Sequence, residues 1–206
     1  MHSSVNMEKL IELASEIKDE ELKKKVIEFL KDLKLTNKYF EKYEKEDIKK
    51  VKVPFSIGNV TVERDVYNHT IALTKLCVQT SEVLKEVFGL ELNRDYLIAA
   101  ALLHDIMKCF EWKIENGEIK HSGILLDHTM LCVAELYKRD FPEGVIHIVA
   151  SHFGETGPTP PRNFEALIFH HLDSMLASVE LHAGEPKPQQ PILILDEETY
   201  RKLREG

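Results

Sequence analysis

The feature that most constrains the fold of this chain is a run of seven apolar residues that ends in two polar ones. Leu97 to Leu103 carry only aliphatic side chains, and His104 and Asp105 follow them directly. The run is far shorter than the roughly 20 residues that span a bilayer, so it predicts a helix buried in a globular core. An imidazole and a carboxylate desolvated at the end of such a helix need polar partners. The sequence therefore predicts a polar site beside the core.

The pattern outside this run is also mostly helical. Leucines and a valine recur at spacings of three and four between Leu22 and Leu33, and Gly89 closes a long amphipathic segment. Asn116-Gly117 predicts a β-hairpin, whereas 53–62 contains a proline and a glycine and predicts a loop or a short extended stretch. Further helices are predicted over 66–88, 93–107, 124–139, from 142 onward, and 163–182. The predicted fold class is all-α, with one small β-hairpin and an N-terminal helical extension.

Length and composition predict one large domain with appendages. The 206 residues are 43% hydrophobic and 30% charged, which is a globular composition. A second methionine, Met7, marks 1–6 as a tag or an alternative start. The expected segments are an N-terminal helical extension (7–60), the main helical domain (61–183) and a Pro-rich C-terminal tail (184–206).

The charge balance restricts the partners. Lys and Arg number 27 against 35 Asp and Glu, a net charge of −8. This acidity opposes binding to duplex nucleic acid or to an anionic membrane, since both need a basic surface. The chain opens without a secretory signal pattern, which predicts a cytoplasmic protein. Its three cysteines lack metal-type spacing and are expected to be reduced core thiols. The oligomeric state stays open, a homo-oligomer included.

Polar residues of the metal-binding type recur about once per predicted helix. Asp105 is followed by His128, His152 and Asp173 at intervals of 23, 24 and 21 residues, each about one helix and a turn. Helices packed side by side can bring such residues to a common centre. Imidazoles and carboxylates without thiolate suit Fe(II), Mn(II), Co(II), Ni(II) or Zn(II). Spacing alone leaves an alternative open: satisfied core histidines, a helix cap at His152 and an ion pair at Asp173.

A family resemblance adds to these patterns. The residues from Leu102 to Lys108 resemble the signature of the HD-domain superfamily of metal-dependent phosphohydrolases. A histidine stands 35 residues before His104, as in that family. The resemblance implies an HD helical bundle that holds two divalent ions, Fe(II) or Mn(II) ahead of Zn(II), Co(II) or Ni(II). The implied metal ligands are His69, His104, Asp105, His128, His152 and Asp173.

The later part of the chain is similar to a narrower, two-metal branch of that superfamily. The segments 151–155 and 165–173 carry this similarity, together with the Pro-rich loop between them. The branch contains HD-type 3′-5′ exoribonucleases and an archaeal phosphodiesterase that acts on dihydroneopterin 2′,3′-cyclic phosphate. Met107 and Phe153 depart from the family, which often has Gly and His there. The nucleic-acid-binding barrel of the exoribonucleases is not recognisable, which favours a small phosphorylated substrate.

The resemblance also implies roles for residues near the ions. Asp105 would bridge them, and Lys108, three residues later on the same helical face, would steady the phosphate. The alternative for Lys108 is a solvated lysine at a helix end. His121 is a candidate general acid, and Arg162 is a candidate phosphate clamp or else a surface arginine. His170 either orients a metal ligand or is structural.

The expected function is metal-dependent hydrolysis of a small phosphate ester. The favoured substrate is dihydroneopterin 2′,3′-cyclic phosphate, in methanopterin biosynthesis, and the acidic composition rich in Lys, Glu and Ile fits an archaeal thermophile. The alternatives are an exoribonuclease-like or nucleotide phosphohydrolase and, from another class, a non-catalytic metal-bearing nucleotide sensor. A complete set of metal ligands favours the hydrolase over the sensor, because regulatory copies tend to lose ligands.

Overall fold

Helices dominate the structure, a computed structural model that describes residues 7–57 and 60–183. The helices are α1 (Glu8–Ala14), α2 (Glu20–Lys31), α3 (Val66–Phe88), α4 (Arg94–Leu103), α5 (Lys108–Glu111), α6 (His128–Lys138), α7 (Glu143–Ala150) and α8 (Phe164–Ala183). The strands are β1 (Lys52–Ile57), β2 (Val60–Asp65), β3 (Trp112–Glu115) and β4 (Glu118–His121). The predicted all-α class is confirmed. The predicted tag, 1–6, and tail, 184–206, lie outside the described residues.

Helix α4 lies at the centre of the fold. Leu97 to Leu103 are fully buried, as predicted, and α4 contacts α1, α2, α3, α7 and α8. The N-terminal helices share this core, because Leu10 and Phe29 belong to the same buried cluster. The division between extension and main domain near residue 60 stays a prediction. No helix among the described residues is long and apolar enough to cross a membrane.

Several helix ends predicted from single residues are confirmed. Gly89 adopts the left-handed conformation, with φ of 66°, that a glycine after a helix supplies. The side chains of Asn93 and Asn163 accept hydrogen bonds from backbone N–H groups of α4 and α8, which caps both helices as predicted.

Two helix boundaries near the polar residues differ from the prediction. Helix α4 ends at Leu103 and not near Met107, and the chain turns over 104–107 before α5 begins. Helix α6 begins at His128 and not near Ile124, because the Asp127 side chain caps it by accepting from a backbone N–H. Both boundaries place predicted metal ligands at helix ends: His104 and Asp105 just after α4, and His128 at the start of α6.

The described residues form two antiparallel strand pairs where one hairpin was predicted. Strands β3 and β4 pair around Asn116-Gly117, whose φ values of 54° and 82° confirm the predicted turn. The segment predicted as a loop or short extended stretch is part of a second antiparallel pair, β1 with β2. Val53 and Val62 are buried at alternating positions of these strands. Pro54 is compatible with pairing because each strand of a two-stranded sheet is an edge.

Candidate metal centre

All six predicted metal ligands converge on one buried centre. His69 lies in the first turn of α3, and His104 and Asp105 lie in the turn after α4. His128 begins α6, His152 lies in the turn after α7, and Asp173 lies in the middle of α8. Five of them are buried, and the side chain of Asp173 is 13% exposed. The packing of the helices thus brings residues more than 100 positions apart into contact.

One group of donor atoms surrounds one oxygen of Asp105. Nε2 of His104 lies 3.6 Å and Nε2 of His69 lies 4.0 Å from Oδ2 of Asp105. Oδ1 of Asp173 lies 3.1 Å from Nε2 of His69. The ligand atoms of His69, His104 and Asp105 all lie within 4.8 Å of one another, a spacing that one divalent ion could span.

A second group surrounds the other oxygen of the same carboxylate. Nε2 of His128 lies 3.2 Å from Oδ1 of Asp105, and the rings of His128 and His152 are 5.9 Å apart. The ligand atoms of these three residues also lie within 4.8 Å of one another. Asp105 therefore belongs to both groups, one oxygen facing each, which is the geometry expected of a bridging carboxylate.

The donor atoms that point into the centre have no hydrogen-bond partner. Within the described residues this holds for Nε2 of His69, His104 and His128 and for Oδ1 of Asp173, all of them buried. Buried polar atoms that lack partners are costly, by about 1–3 kcal/mol each. Divalent cations would satisfy all of these atoms at once. The residues present therefore fit the metal site that the sequence predicted.

The other ring nitrogen of each histidine is already bound to an acceptor. Nδ1 of His104 donates to the carbonyl oxygen of Ala101 at 3.1 Å, and Nδ1 of His152 donates to that of Val149 at 2.8 Å. A carbonyl oxygen can only accept, so the proton sits on Nδ1 and the lone pair on Nε2 faces the centre. The protein thus holds these rings in the tautomer that can bind a metal.

Two glutamates that sequence analysis missed hold the remaining histidines. Glu180 lies 2.8 Å from Nδ1 of His69, and Glu111 lies 2.8 Å from Nδ1 of His128. Glu180 follows Asp173 by seven residues, two turns along α8 on the same face, a spacing that could have revealed it. Glu111 lies in the short helix α5, where no spacing signal marks it.

Burial and charge set the protonation of the centre. Burial lowers the pKa of His152 and lowers that of His104 to about 3, so both rings are neutral near pH 7. Burial acts the same way on His69 and His128, but the neighbouring carboxylates outweigh it and raise the pKa of each. The pKa of Asp105 lies well below its usual value, because Lys108 and the histidines outweigh the effect of burial.

Lys108 belongs to the centre. Its Nζ lies 2.6 Å from Oδ2 of Asp105, and the residue is only 8% exposed. The alternative of a solvated lysine at a helix end is wrong, because the turn after α4 folds the side chain inward. Its ammonium lies beside the shared carboxylate, and a phosphate contact by Lys108 stays a prediction.

Arg64, from strand β2, is a second buried cation that sequence analysis missed. It is 7% exposed, and its Nε donates to Oε2 of Glu180 at 2.8 Å. Its Nη1 lies 4.0 Å from Oδ2 of Asp105. No sequence signal marked it, because β2 itself was not predicted.

The other residues proposed from the sequence occupy different places. Nε2 of His121 lies 3.9 Å from Oε1 of Glu111, at the rim of the centre, and the side chain is 46% exposed. Nδ1 of His170 donates to the backbone oxygen of His152 at 2.7 Å, which agrees with an orienting role. Arg162 is exposed, and its backbone N–H donates to His147 on α7. A phosphate contact by Arg162 stays a prediction.

The thiols take no part in the centre. All three cysteines are buried and free, as predicted, and burial raises the pKa of each. Sγ of Cys132 donates to the backbone oxygen of Leu103. The donor set is therefore nitrogen and oxygen only, which suits ions such as Fe(II) and Mn(II) as well as Zn(II).

A helical bundle with a centre of histidines and aspartates defines the class of this protein. The family model of the HD domain matches residues 66–193, and the chain belongs to the HD-domain family. The family predicted from the sequence, and with it the class of phosphohydrolase, is confirmed.

The chain is similar to an archaeal phosphodiesterase and to bacterial exoribonucleases. A dihydroneopterin 2′,3′-cyclic phosphate phosphodiesterase of Methanocaldococcus jannaschii is 50% identical over 170 residues, which are 81% of this chain and 67% of that protein. A 3′-5′ exoribonuclease YhaM of Listeria welshimeri is 30% identical over 125 residues, 55% of this chain and 38% of the relative. The YhaM of Bacillus subtilis is 34% identical over 105 residues, 44% of this chain and 32% of the relative. No solved structure matches the chain.

Proposed function

We propose that this chain is a metal-dependent phosphodiesterase that hydrolyses a small cyclic phosphate, with dihydroneopterin 2′,3′-cyclic phosphate as the favoured substrate. The observation that carries the proposal is the set of buried, unpartnered donor atoms arranged on both sides of Asp105. The 50% identity to an enzyme named for that substrate supports the choice of substrate.

The donor atoms fit two divalent ions, Fe(II) or Mn(II). His69, His104 and Asp173 would hold one, His128 and His152 would hold the other, and Asp105 would bind both. When bound, two such ions neutralise phosphoryl oxygens and lower the pKa of water near the phosphorus.

The charges around the centre favour two ions over one. Four carboxylates line it (Asp105, Glu111, Asp173 and Glu180) against two cations (Arg64 and Lys108), which leaves two negative charges. One divalent ion would cancel this charge, and an anionic substrate would then gain little. A second ion would leave two positive charges, which would attract the single negative charge of a cyclic phosphodiester and the dianion of its monoester product.

The chain's own residues supply the remaining chemistry. Lys108 can steady a phosphoryl oxygen as charge builds in the transition state. Nδ1 of His121 accepts a hydrogen bond from the N–H of Gly123 at 3.1 Å, so in the neutral ring Nε2 carries the proton. As water adds its hydroxyl to phosphorus and the ester P–O bond breaks, the Nε2–H of His121 can give its proton to the departing oxygen, and the proton released by the water restores the neutral ring.

The first experiment is metal analysis of the purified protein, followed by hydrolysis assays with Fe(II), Mn(II) and Zn(II). The panel holds dihydroneopterin 2′,3′-cyclic phosphate, nucleoside 2′,3′- and 3′,5′-cyclic phosphates, a phosphomonoester and single-stranded RNA. We expect the pterin cyclic phosphate to give the highest kcat/KM. Salt-sensitive degradation of long RNA would favour the exoribonuclease, since polymer binding releases counterions. Binding of a phosphate from this panel without any hydrolysis would favour the non-catalytic nucleotide sensor.

A second experiment counts the ions. His128→Ala and His152→Ala should each lower the metal stoichiometry from about two towards one, because each removes an imidazole from the second group. His182→Ala is the matched control, since this exposed histidine only donates to a backbone oxygen of its own helix. Two ions retained in both test variants would make these histidines structural.

A further inference from the structure

We infer that Arg64 is a phosphate-binding residue, whose two terminal nitrogens donate to phosphoryl oxygens of a ligand seated beside Asp105. The inference rests on the proposed function and adds a side chain to it that neither the motif nor the predicted ligand set contains.

The guanidinium of Arg64 is fixed on two sides. Its Nε donates to Glu180 on α8 at 2.8 Å, and its carbon lies 4.1 Å from the centroid of the Phe55 ring on β1. Because Glu180 also holds His69, the arginine is connected to a metal ligand through one carboxylate. Such a group is oriented before any ligand arrives, so little conformational entropy is lost on binding.

In the part of the chain that the structure describes, the two terminal nitrogens of the guanidinium have no hydrogen-bond partner within reach. Nη2 is buried and has no hydrogen-bond partner anywhere in the described residues. Nη1 is 4.0 Å from Oδ2 of Asp105, beyond hydrogen-bond distance. Donors of a buried cation are costly to leave unpaired. The planar fork of an arginine matches two oxygens of one phosphate, which would satisfy both nitrogens.

A purely structural role explains only part of this geometry. Tying the β1–β2 hairpin to α8 requires the bond from Nε to Glu180 and nothing more. It does not explain why Nη2 is buried without a partner, or why Nη1 lies 4.0 Å from the shared carboxylate. Bound divalent ions would engage the Asp105 carboxylate, and the terminal nitrogens of Arg64 would then lie close to positive charge without an anion of their own. A phosphate is the anion that the proposed reaction brings.

The test compares Arg64→Lys with the wild type, both loaded with Mn(II), and measures binding of inorganic phosphate by calorimetry. The lysine keeps the charge but not the fork. We expect phosphate affinity to fall by at least tenfold, with KM for the cyclic phosphate rising more than kcat falls. Metal stoichiometry should stay unchanged. Arg94→Lys is the matched control, since Arg94 begins α4 at the end of the helix opposite His104 and pairs with Glu16.

Phosphate affinity equal to the wild type would overturn the inference, and so would a loss confined to melting temperature or metal content. If Arg64→Lys does not fold, Phe55→Leu loosens the same guanidinium without removing it and should weaken phosphate binding by a smaller factor. The proposed function can fail separately. Phosphate could bind through Arg64 in a protein that hydrolyses no ester, which would support this inference and refute the phosphodiesterase.

Discussion

Asp105→Asn tests the centre most directly, because it removes one charge and almost no volume. Asp105 is 1% exposed, and its two oxygens face Lys108 at 2.6 Å and His128 at 3.2 Å. The amide leaves the Lys108 ammonium buried without its anion. Breaking a buried ion pair in this way costs about 3–5 kcal/mol.

The loss should appear in the metal-free protein as well as in metal binding. For a chain of this size, 3–5 kcal/mol lowers Tm by roughly 6–20 °C. An amide is a weak substitute for a carboxylate that binds two ions, so metal content and hydrolysis should both fall close to zero. The assay pairs thermal unfolding of the metal-free protein with elemental analysis after metal loading.

The pH dependence of the free energy of unfolding tests whether the charge of Asp105, and not its shape, stabilises the fold. The folded pKa of Asp105 lies well below its usual 3.8, so its stabilising effect is complete above the unfolded value and is lost as pH falls towards the folded one. The difference in free energy of unfolding between wild type and variant should therefore narrow as pH falls below about 4. It should also narrow as pH rises through the histidine range, because Asp105 raises the pKa of His69 and His128 in the folded wild type.

Asp127→Asn is the matched control for this substitution. Asp127 caps α6 outside the centre, and asparagine caps a helix about as well as aspartate. The control should keep its metal and its Tm. If Asp105→Asn kept wild-type metal content and stability, the centre could not be organised around this carboxylate.

Three further changes test other parts of the site. Lys108→Ala should lower kcat/KM by roughly ten- to a thousand-fold, while the metal content falls little; normal kinetics would exclude it from the reaction. Gly154→Ala should lower the occupancy of the second ion. Gly154 has φ of +63°, and an added Cβ would lie 2.4 Å from the ring of His170, which holds the backbone oxygen of His152. Unchanged metal stoichiometry would refute this. Mn(II) affinity should weaken as pH falls from 8 to 6, because the two histidines paired with glutamates have raised pKa values and must release protons to bind metal; a titration that shows constant affinity would contradict it.

Much of the fold could be predicted because its signals are local. The seven-residue apolar run, the glycine after α3 and the asparagine caps each act within a few residues of themselves, so spacing and residue type are enough to recognise them. The six candidate metal ligands could be proposed for a related reason. They lie about one helix apart, and their order matches a family pattern.

The tertiary structure alone decided what surrounds those ligands. Glu180 lies 116 residues after Arg64 and 111 after His69, and no periodicity in the sequence relates positions so far apart. The second hairpin was missed because a proline and a glycine predict a loop, while the burial that pairs its strands comes from other elements. Lys108 was open to two interpretations from sequence, since a lysine at a helix end is usually solvated. Its burial follows from the turn after α4, which only the packed helices around it define.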